Sequence, residues 1–231
     1  MELLTREIKE ASQRRLAAGL KDPVRIVFFT QEPGKLILPE GIRGQECPFC
    51  RETRQLLEEV ASLDSRIQLE THDFVADKEL ASRWRVDKIP AILIHGRNEY
   101  GIRFFGIPSG YEYGSLLEAI IQVSQGQSSL QPQTREALKR IAEPVHLQVF
   151  VTPTCPYCPL AVELAHAMAL ESSWVTADMV EATEFPHLAQ KYAVFGVPKT
   201  VINETITVEG AVPENVFLEN VLKAVGEHPS P

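Results

Sequence analysis

The stretch Leu147-Gln148-Val149-Phe150-Val151-Thr152-Pro153-Thr154-Cys155-Pro156-Tyr157-Cys158-Pro159-Leu160 decides how this chain reads. Its apolar, β-favouring start, Leu147 to Val151, predicts a buried strand. The good helix formers from Leu160 to Leu170 predict a helix. Cys155 therefore falls where a strand gives way to a helix N-terminus. Unpaired backbone N–H groups and the positive end of the helix dipole converge there and favour an anion. A thiolate is such an anion, so Cys155 is expected to ionise readily and to be the attacking sulfur. Cys158, one helical turn further in, can resolve a mixed disulfide. Pro156 suits the first helical position, where no backbone donor is needed. The pair reads as a candidate dithiol–disulfide exchange site.

A partial copy lies upstream. Val24–Phe29 predicts a strand, Cys47-Pro48-Phe49-Cys50 repeats the motif, and Arg51 to about Ala61 predicts the helix. The repeat continues: Arg83-Trp84-Arg85-Val86-Asp87-Lys88-Ile89-Pro90-Ala91-Ile92 lines up with Lys191-Tyr192-Ala193-Val194-Phe195-Gly196-Val197-Pro198-Lys199-Thr200. Cys47 to Pro90 and Cys155 to Pro198 span the same 43 positions. A proline opening an apolar strand deletes a ladder donor. Its recurrence points to cis Ile89–Pro90 and Val197–Pro198 bonds beside the sulfurs.

A CxxC at a strand–helix junction with a downstream Ile-Pro or Val-Pro strand resembles the thioredoxin fold. Cys-Pro-Tyr-Cys is the motif seen in glutaredoxins. Two such units in one chain resemble the glutaredoxin-like protein disulfide oxidoreductases of thermophilic archaea and bacteria. The resemblance runs from the N-terminal helix to Leu222. It implies an α/β chain of two tandem units, each βαβαββα with a mixed sheet flanked by helices, after an N-terminal helix. The first unit would be 1–126 with the CPFC site, the second 127–231 with the CPYC site. Cys47 and Cys155 would attack client disulfides, and Cys50 and Cys158 would resolve them. Ile89 and Val197, ahead of Pro90 and Pro198, would pair with an extended client segment. Phe49 and Tyr157, in the exposed dipeptides with Pro48 and Pro156, would either contact client side chains or serve packing. The partners implied are client protein thiols and disulfides and a thioredoxin-reductase-like electron donor, with no cofactor and no metal.

Two departures qualify the likeness. Thioredoxins carry a buried Asp in the strand ahead of CxxC, and here neither Val24–Phe29 nor His146–Val151 holds an acid. The proton acceptor for the resolving Cys is thus unassigned. The second unit passes from Phe150 directly to Cys155, whereas Gln31–Glu46 separates Phe28 from Cys47. Pro33-Gly34, Pro39 and Gly44 there predict irregular backbone, with Leu36, Ile37 and Leu38 as a small hairpin that narrows the approach to Cys47.

Composition restricts the alternatives. At 231 residues and net charge −8, without a basic cluster, the chain does not read as nucleic-acid-binding. Met1 to Leu20 is charged throughout, and no stretch approaches a membrane span, so a cytoplasmic location is expected. All four cysteines fall in the two pairs. A zinc ribbon needs its knuckles roughly 15–20 residues apart, and the gap from Cys50 to Cys155 is far longer. Redox chemistry is the reading the spacing favours.

The other readings are a glutathione-dependent glutaredoxin, a relay between a flavin reductase and a peroxidase, a client-holding chaperone and an iron–sulfur scaffold. No Lys or Arg for glutathione carboxylates directly precedes Cys155, and the relay type keeps one CxxC where this chain keeps two.

Elsewhere, residues 3–19 predict a helix with Leu4, Ile8, Ala11 and Leu16 on its docking stripe. The helix after Cys158 is apolar on most faces, which predicts cover on a second side. Asp73 and Asp178 are expected at matching turn or cap positions. His166 is expected as a satisfied core histidine, His72 and His95 have no assigned partner, and Lys199, just after Pro198, would steady a thiolate or a client carboxylate, with Ala91 in its place in the first unit.

Overall fold

The computed structural model describes residues 3–31 and 47–226. The expected hairpin before Cys47 and the tail after Gly226 lie outside these residues. The N-terminal helix α1, Arg6–Gly19, precedes two successive βαβαββα runs. The first comprises β1 (Val24–Thr30), α2 (Cys50–Ala61), β2 (Ile67–Asp73), α3 (Lys78–Arg83), β3 (Ala91–His95), β4 (Glu99–Phe105) and α4 (Glu112–Gln125). A connecting helix α5 (Pro132–Leu138) leads to the second. That run comprises β5 (Val145–Val151), α6 (Cys158–Glu171), β6 (Val175–Glu181), α7 (Pro186–Lys191), β7 (Lys199–Ile202), β8 (Ile206–Glu209) and α8 (Glu214–Lys223).

All eight strands join one sheet in the order β2-β1-β3-β4-β6-β5-β7-β8. Each run contributes a parallel pair, β1/β2 or β5/β6, and two antiparallel pairings. The seam is a parallel pairing of β4 with β6, Ile102 opposite Ala177 through Phe105 opposite Val180. It explains why equivalent strands differ in composition. β2 is an edge strand whose residues after Ile67 are half-buried or exposed, and it reads Gln-Leu-Glu-Thr-His-Asp. β6 lies between two strands, is almost wholly buried, and carries Val175, Ala177, Met179 and Val180. Gly101 lets the strands meet: a Cβ there would lie 2.5 Å from the Val175 carbonyl oxygen.

The sheet buries two apolar layers. One lies beneath α1, α2, α4, α5, α6 and α8, through residues such as Leu16, Leu57, Leu116, Leu138, Val162 and Phe217. The other lies beneath α3 and α7, with Phe29, Phe105, Phe150 and Val201 at its centre. α6 sits under the seam against β4, β5 and β6, and α4 covers its second side. The expected second cover therefore comes from the first run. The segment between α4 and α5 is packed down: the Ser128 hydroxyl donates to Glu171 at 2.6 Å and Leu130 is buried.

The register corrects the alignment. Phe29, not Phe28, is the counterpart of Phe150, because these two share the layer under α3 and α7. Glu70 and Asp178 then correspond, as do Asp73 and Glu181. Asp73 is the expected turn residue, accepting from Val75 N and Ala76 N at 3.0 and 2.9 Å. Asp178 is no cap. It is fully buried mid-strand and accepts from Arg103 Nε and Nη2 at 2.7 and 2.9 Å, with His146 Nε2 at 2.7 Å. Burial alone would raise its pKa, but the Arg103 charge and the His146 bond hold the carboxyl well below the usual range. On α1, Ser12 takes the place given to Ala11, bonding Tyr113 at 2.9 Å, and Ile8 is exposed.

Arg103→Met leaves the Asp178 charge buried without its cation, an expected loss of about 3–5 kcal/mol in chemical denaturation. Arg103→Met combined with Asp178→Leu is expected to recover most of it, since an apolar pair of similar volume suits this seam.

Candidate active site

Both CxxC pairs are disulfide-bonded, each at the start of a helix at the carboxyl end of a central strand. The Cα atoms are 5.4 Å apart for Cys47–Cys50 and 5.5 Å for Cys155–Cys158. In the second site Thr152 O accepts from Cys155 N at 3.1 Å, which turns the chain sharply out of β5. The Cys158 amide points at Cys155 Sγ across 3.1 Å. That is the orphan N–H expected of a helix N-terminus, aimed at the outer sulfur. Cys155 is 8 % exposed and Cys158 fully buried. Of the two, only Cys155 keeps any exposed surface. In the first site Cys47 is half-buried and Cys50 buried.

Ile89–Pro90 and Val197–Pro198 are both cis. Each proline carbonyl accepts from the glycine that ends the facing strand, Gly106 N at 3.0 Å and Gly210 N at 2.8 Å. The carbonyl of Val197 lies 3.7 Å from Cys155 Sγ. Val197 and Ile89 are half-buried, Pro48 and Pro156 exposed. Phe49 and Tyr157 both project, the latter 65 % exposed, and Phe195 beside Val197 is 97 % exposed.

Other expectations shift. Lys199 does not face the thiol: its Nζ bonds Ala193 O at 3.1 Å and Glu209 at 2.9 Å. His72 has partners, Glu70 at 2.8 Å and Asp77 at 3.2 Å. His166 is half satisfied: Nε2 donates to Arg103 O at 3.1 Å while Nδ1 has no partner among the described residues. His95 is buried with neither nitrogen paired there, and burial lowers both histidines to about 4.

Three acids missed in the sequence belong to the elements around the second run's strands. Glu181 ends β6 opposite Val151, and Thr183 and Glu184 N donate to it at 2.6 and 2.7 Å. Glu184 accepts from Ile107 N at 2.7 Å, tying the loop after β4 to the second run. Burial, with the Glu181 charge adding, pushes Glu184 up to about 7. Glu112 opens α4 and is also buried. An acid at a helix start is so ordinary that its sequence position gave no signal.

Residues 145–223 match the thioredoxin domain family. A protein disulfide oxidoreductase from Aeropyrum pernix superposes with a TM-score of 0.86 at 28 % identity, covering 98 % of this chain and 96 % of that one. The fold is the thioredoxin fold. The N-terminal NTD_N/C domain of the alkylhydroperoxide reductase AhpF from Enterococcus faecalis shares it with a TM-score of 0.82 and 24 % identity, over 94 % of this chain and 99 % of that one. The corresponding alkyl hydroperoxide reductase AhpF of Staphylococcus aureus is 25 % identical over 66 % of this chain and 28 % of its own length. The chain spans under a third of the length of the curated relatives it matches.

Two measurements test these placements. In the reduced protein at neutral pH, iodoacetamide is expected to modify Cys155 well before Cys158, read by peptide mass mapping; the reverse order would overturn the exposure argument. Glu184→Gln tests the half-buried acid. Between about pH 4.5 and 7 the folded chain keeps a proton on Glu184 that the unfolded chain has lost, so stability falls as pH rises through that window. The variant lacks this loss, so its Tm is expected to exceed the parent's at pH 8 and to match it near pH 5.

Proposed function

We propose that the chain is a protein thiol–disulfide oxidoreductase acting through two CxxC sites, in units spanning 1–126 and 127–231. The arrangement at Cys155 carries this reading: an outer sulfur at a helix N-terminus, in the more exposed residue of the pair, with the fully buried Cys158 sulfur bonded to it. In the reducing direction the Cys155 thiolate attacks one sulfur of a client disulfide. A mixed disulfide forms and the other client sulfur leaves as thiolate. Cys158 then attacks Cys155 Sγ, the mixed bond breaks, and the second client sulfur departs with its electron pair. The client gains two electrons and Cys155–Cys158 becomes a disulfide again. A dithiol donor resets it, and the opposite flow oxidises a client dithiol. Cys47 and Cys50 act likewise. The Val197 carbonyl beside Sγ is placed to accept from the backbone of an extended client.

The likeness to the Staphylococcus aureus AhpF supports a second reading, a relay that takes electrons from a flavin reductase and hands them to a peroxidase. Rapid mixing with a flavoprotein disulfide reductase and its nicotinamide donor would show reduction of one site ahead of the other.

Insulin reduction with dithiothreitol tests the main reading. Cys47→Ser/Cys50→Ser and Cys155→Ser/Cys158→Ser are each expected to keep partial turnover, and the quadruple variant to fall to the uncatalysed rate. Cys158→Ser should accumulate a client mixed disulfide on Cys155. A quadruple variant as active as the parent would leave a client-holding role instead.

A further inference from the structure

Among the described residues the three most exposed large apolar side chains are Phe195, Tyr157 and Leu160, at 97, 65 and 60 %. All three stand on segments that meet at Cys155. Tyr157 and Leu160 follow it in its own motif. Phe195 lies two residues before Val197, whose carbonyl is 3.7 Å from Cys155 Sγ. A fourth exposed ring, Tyr111, comes from the first unit: its N–H donates to Pro153 O at 3.0 Å, two residues before Cys155. A single exposed apolar side chain needs no explanation, but a group of them around one reactive sulfur marks an interaction surface.

The loop that carries Phe195 is braced on both sides. Val194 N donates to Ala189 O at 2.8 Å, Lys199 Nζ donates to Ala193 O at 3.1 Å, and Pro198 O accepts from Gly210 N at 2.8 Å. The ring is thus held out in solvent by a fixed backbone. The first site has the same frame with other side chains. Equal spacing from the prolines puts Asp87 and Lys88 where the second unit has Phe195 and Gly196. Equal spacing from the cysteines puts Arg51 and Glu52 where it has Pro159 and Leu160. The Asp87 side chain is 75 % exposed and is bonded by Lys88 Nζ at 2.6 Å, and Arg51 is exposed. Phe49 keeps the aromatic position but is less exposed than Tyr157. Among the described residues, one rim is apolar and the other is largely charged.

We propose that Phe195 makes the second site selective for client disulfides set in extended segments with aromatic or large aliphatic neighbours, a preference the first site lacks. This rests on the exchange function above and names the client class for one of its sites. A client cysteine bonded to Cys155 Sγ lies beside Val197 O, which is placed to accept a client N–H. Side chains on one face of an extended segment are two residues apart, about 7 Å along the strand. Val197 and Phe195 are also two residues apart, so the client side chain two positions from the cysteine comes over the Phe195 ring. An aromatic or aliphatic group there covers the ring from water and packs on it. A small polar group covers less of it and gives up hydration in return for nothing.

The experiment leaves one thiol in each full chain. Cys47→Ser/Cys50→Ser/Cys158→Ser keeps Cys155, and Cys50→Ser/Cys155→Ser/Cys158→Ser keeps Cys47. Each is mixed with the peptide Ala-Phe-Ala-Cys-Ala-Phe-Ala or Ala-Ser-Ala-Cys-Ala-Ser-Ala, blocked at both ends and carrying nitrothiobenzoate in disulfide linkage on its cysteine. The protein thiolate bonds the peptide sulfur, the peptide–nitrothiobenzoate bond breaks, and the coloured thiolate that leaves is followed by absorbance. With Cys155 the Phe peptide should react about tenfold faster than the Ser peptide, and with Cys47 the two should react alike. Phe195→Asp/Gly196→Lys, which installs the first site's pair, should abolish the preference of Cys155, and Phe195→Leu should keep most of it. Both positions are exposed, and a Cβ at Gly196 would meet nothing within 4 Å, so these changes leave the core alone. Equal rates with Cys155, the same preference at Cys47, or a preference that survives Phe195→Asp/Gly196→Lys overturns the proposal. A Cys155 chain that releases no thiolate from either peptide would instead count against the exchange function of this site.

Discussion

The parallel pairing of β4 with β6 is the contact on which the rest of this molecule depends. It joins eight strands into one sheet and buries two edges that would otherwise expose unpaired N–H and C=O groups. Its register is fixed from both faces. Ile102, Phe104, Ala177 and Met179 enter the layer above α6, and Arg103 meets Asp178 on the other side. A slip by one residue would turn the apolar set away from its layer and leave two buried charges unpaired.

The two outer edges of the sheet differ from the seam. The outer edges are β2 and β8, the counterparts of the two seam strands. β8 has only four residues, and Thr207 stands where β4 has Arg103. Facing the open edge, β2 carries Glu70 where β6 has Asp178, and Glu70 is already engaged by Arg25 at 3.3 Å and His72 at 2.8 Å.

A head-to-tail join also makes the two sites unlike. The loop after β4 lands on Pro153, two residues before Cys155, and is tied to the second run by the Ile107–Glu184 contact. Its counterpart after β8 leads into α8 at the far edge, where Gly210 has open space around it. Two similar stretches of chain thus acquire different surroundings from their position in the sheet alone.

Much of this was legible in the sequence because it is local. A strand–CxxC–helix junction, a proline at the same spacing in each half and the period of each apolar run are set by neighbours along the chain. They determined the fold class, the four cysteines, the cis prolines and the need for a second cover on α6. Other features require residues far apart in sequence to meet. Arg103 becomes half of an ion pair only once β4 pairs with β6, and Asp178 only then ceases to resemble a turn residue. Lys199 turns out to bond Ala193 and Glu209, because the backbone of β7 aims it away from the sulfur. Glu112 looks like any first-turn acid until α6 covers it. The sequence by itself determined where the sulfur chemistry sits. Only the tertiary structure decided which carboxylates lie in low dielectric beside it, because burial belongs to the packed whole and to no stretch of chain.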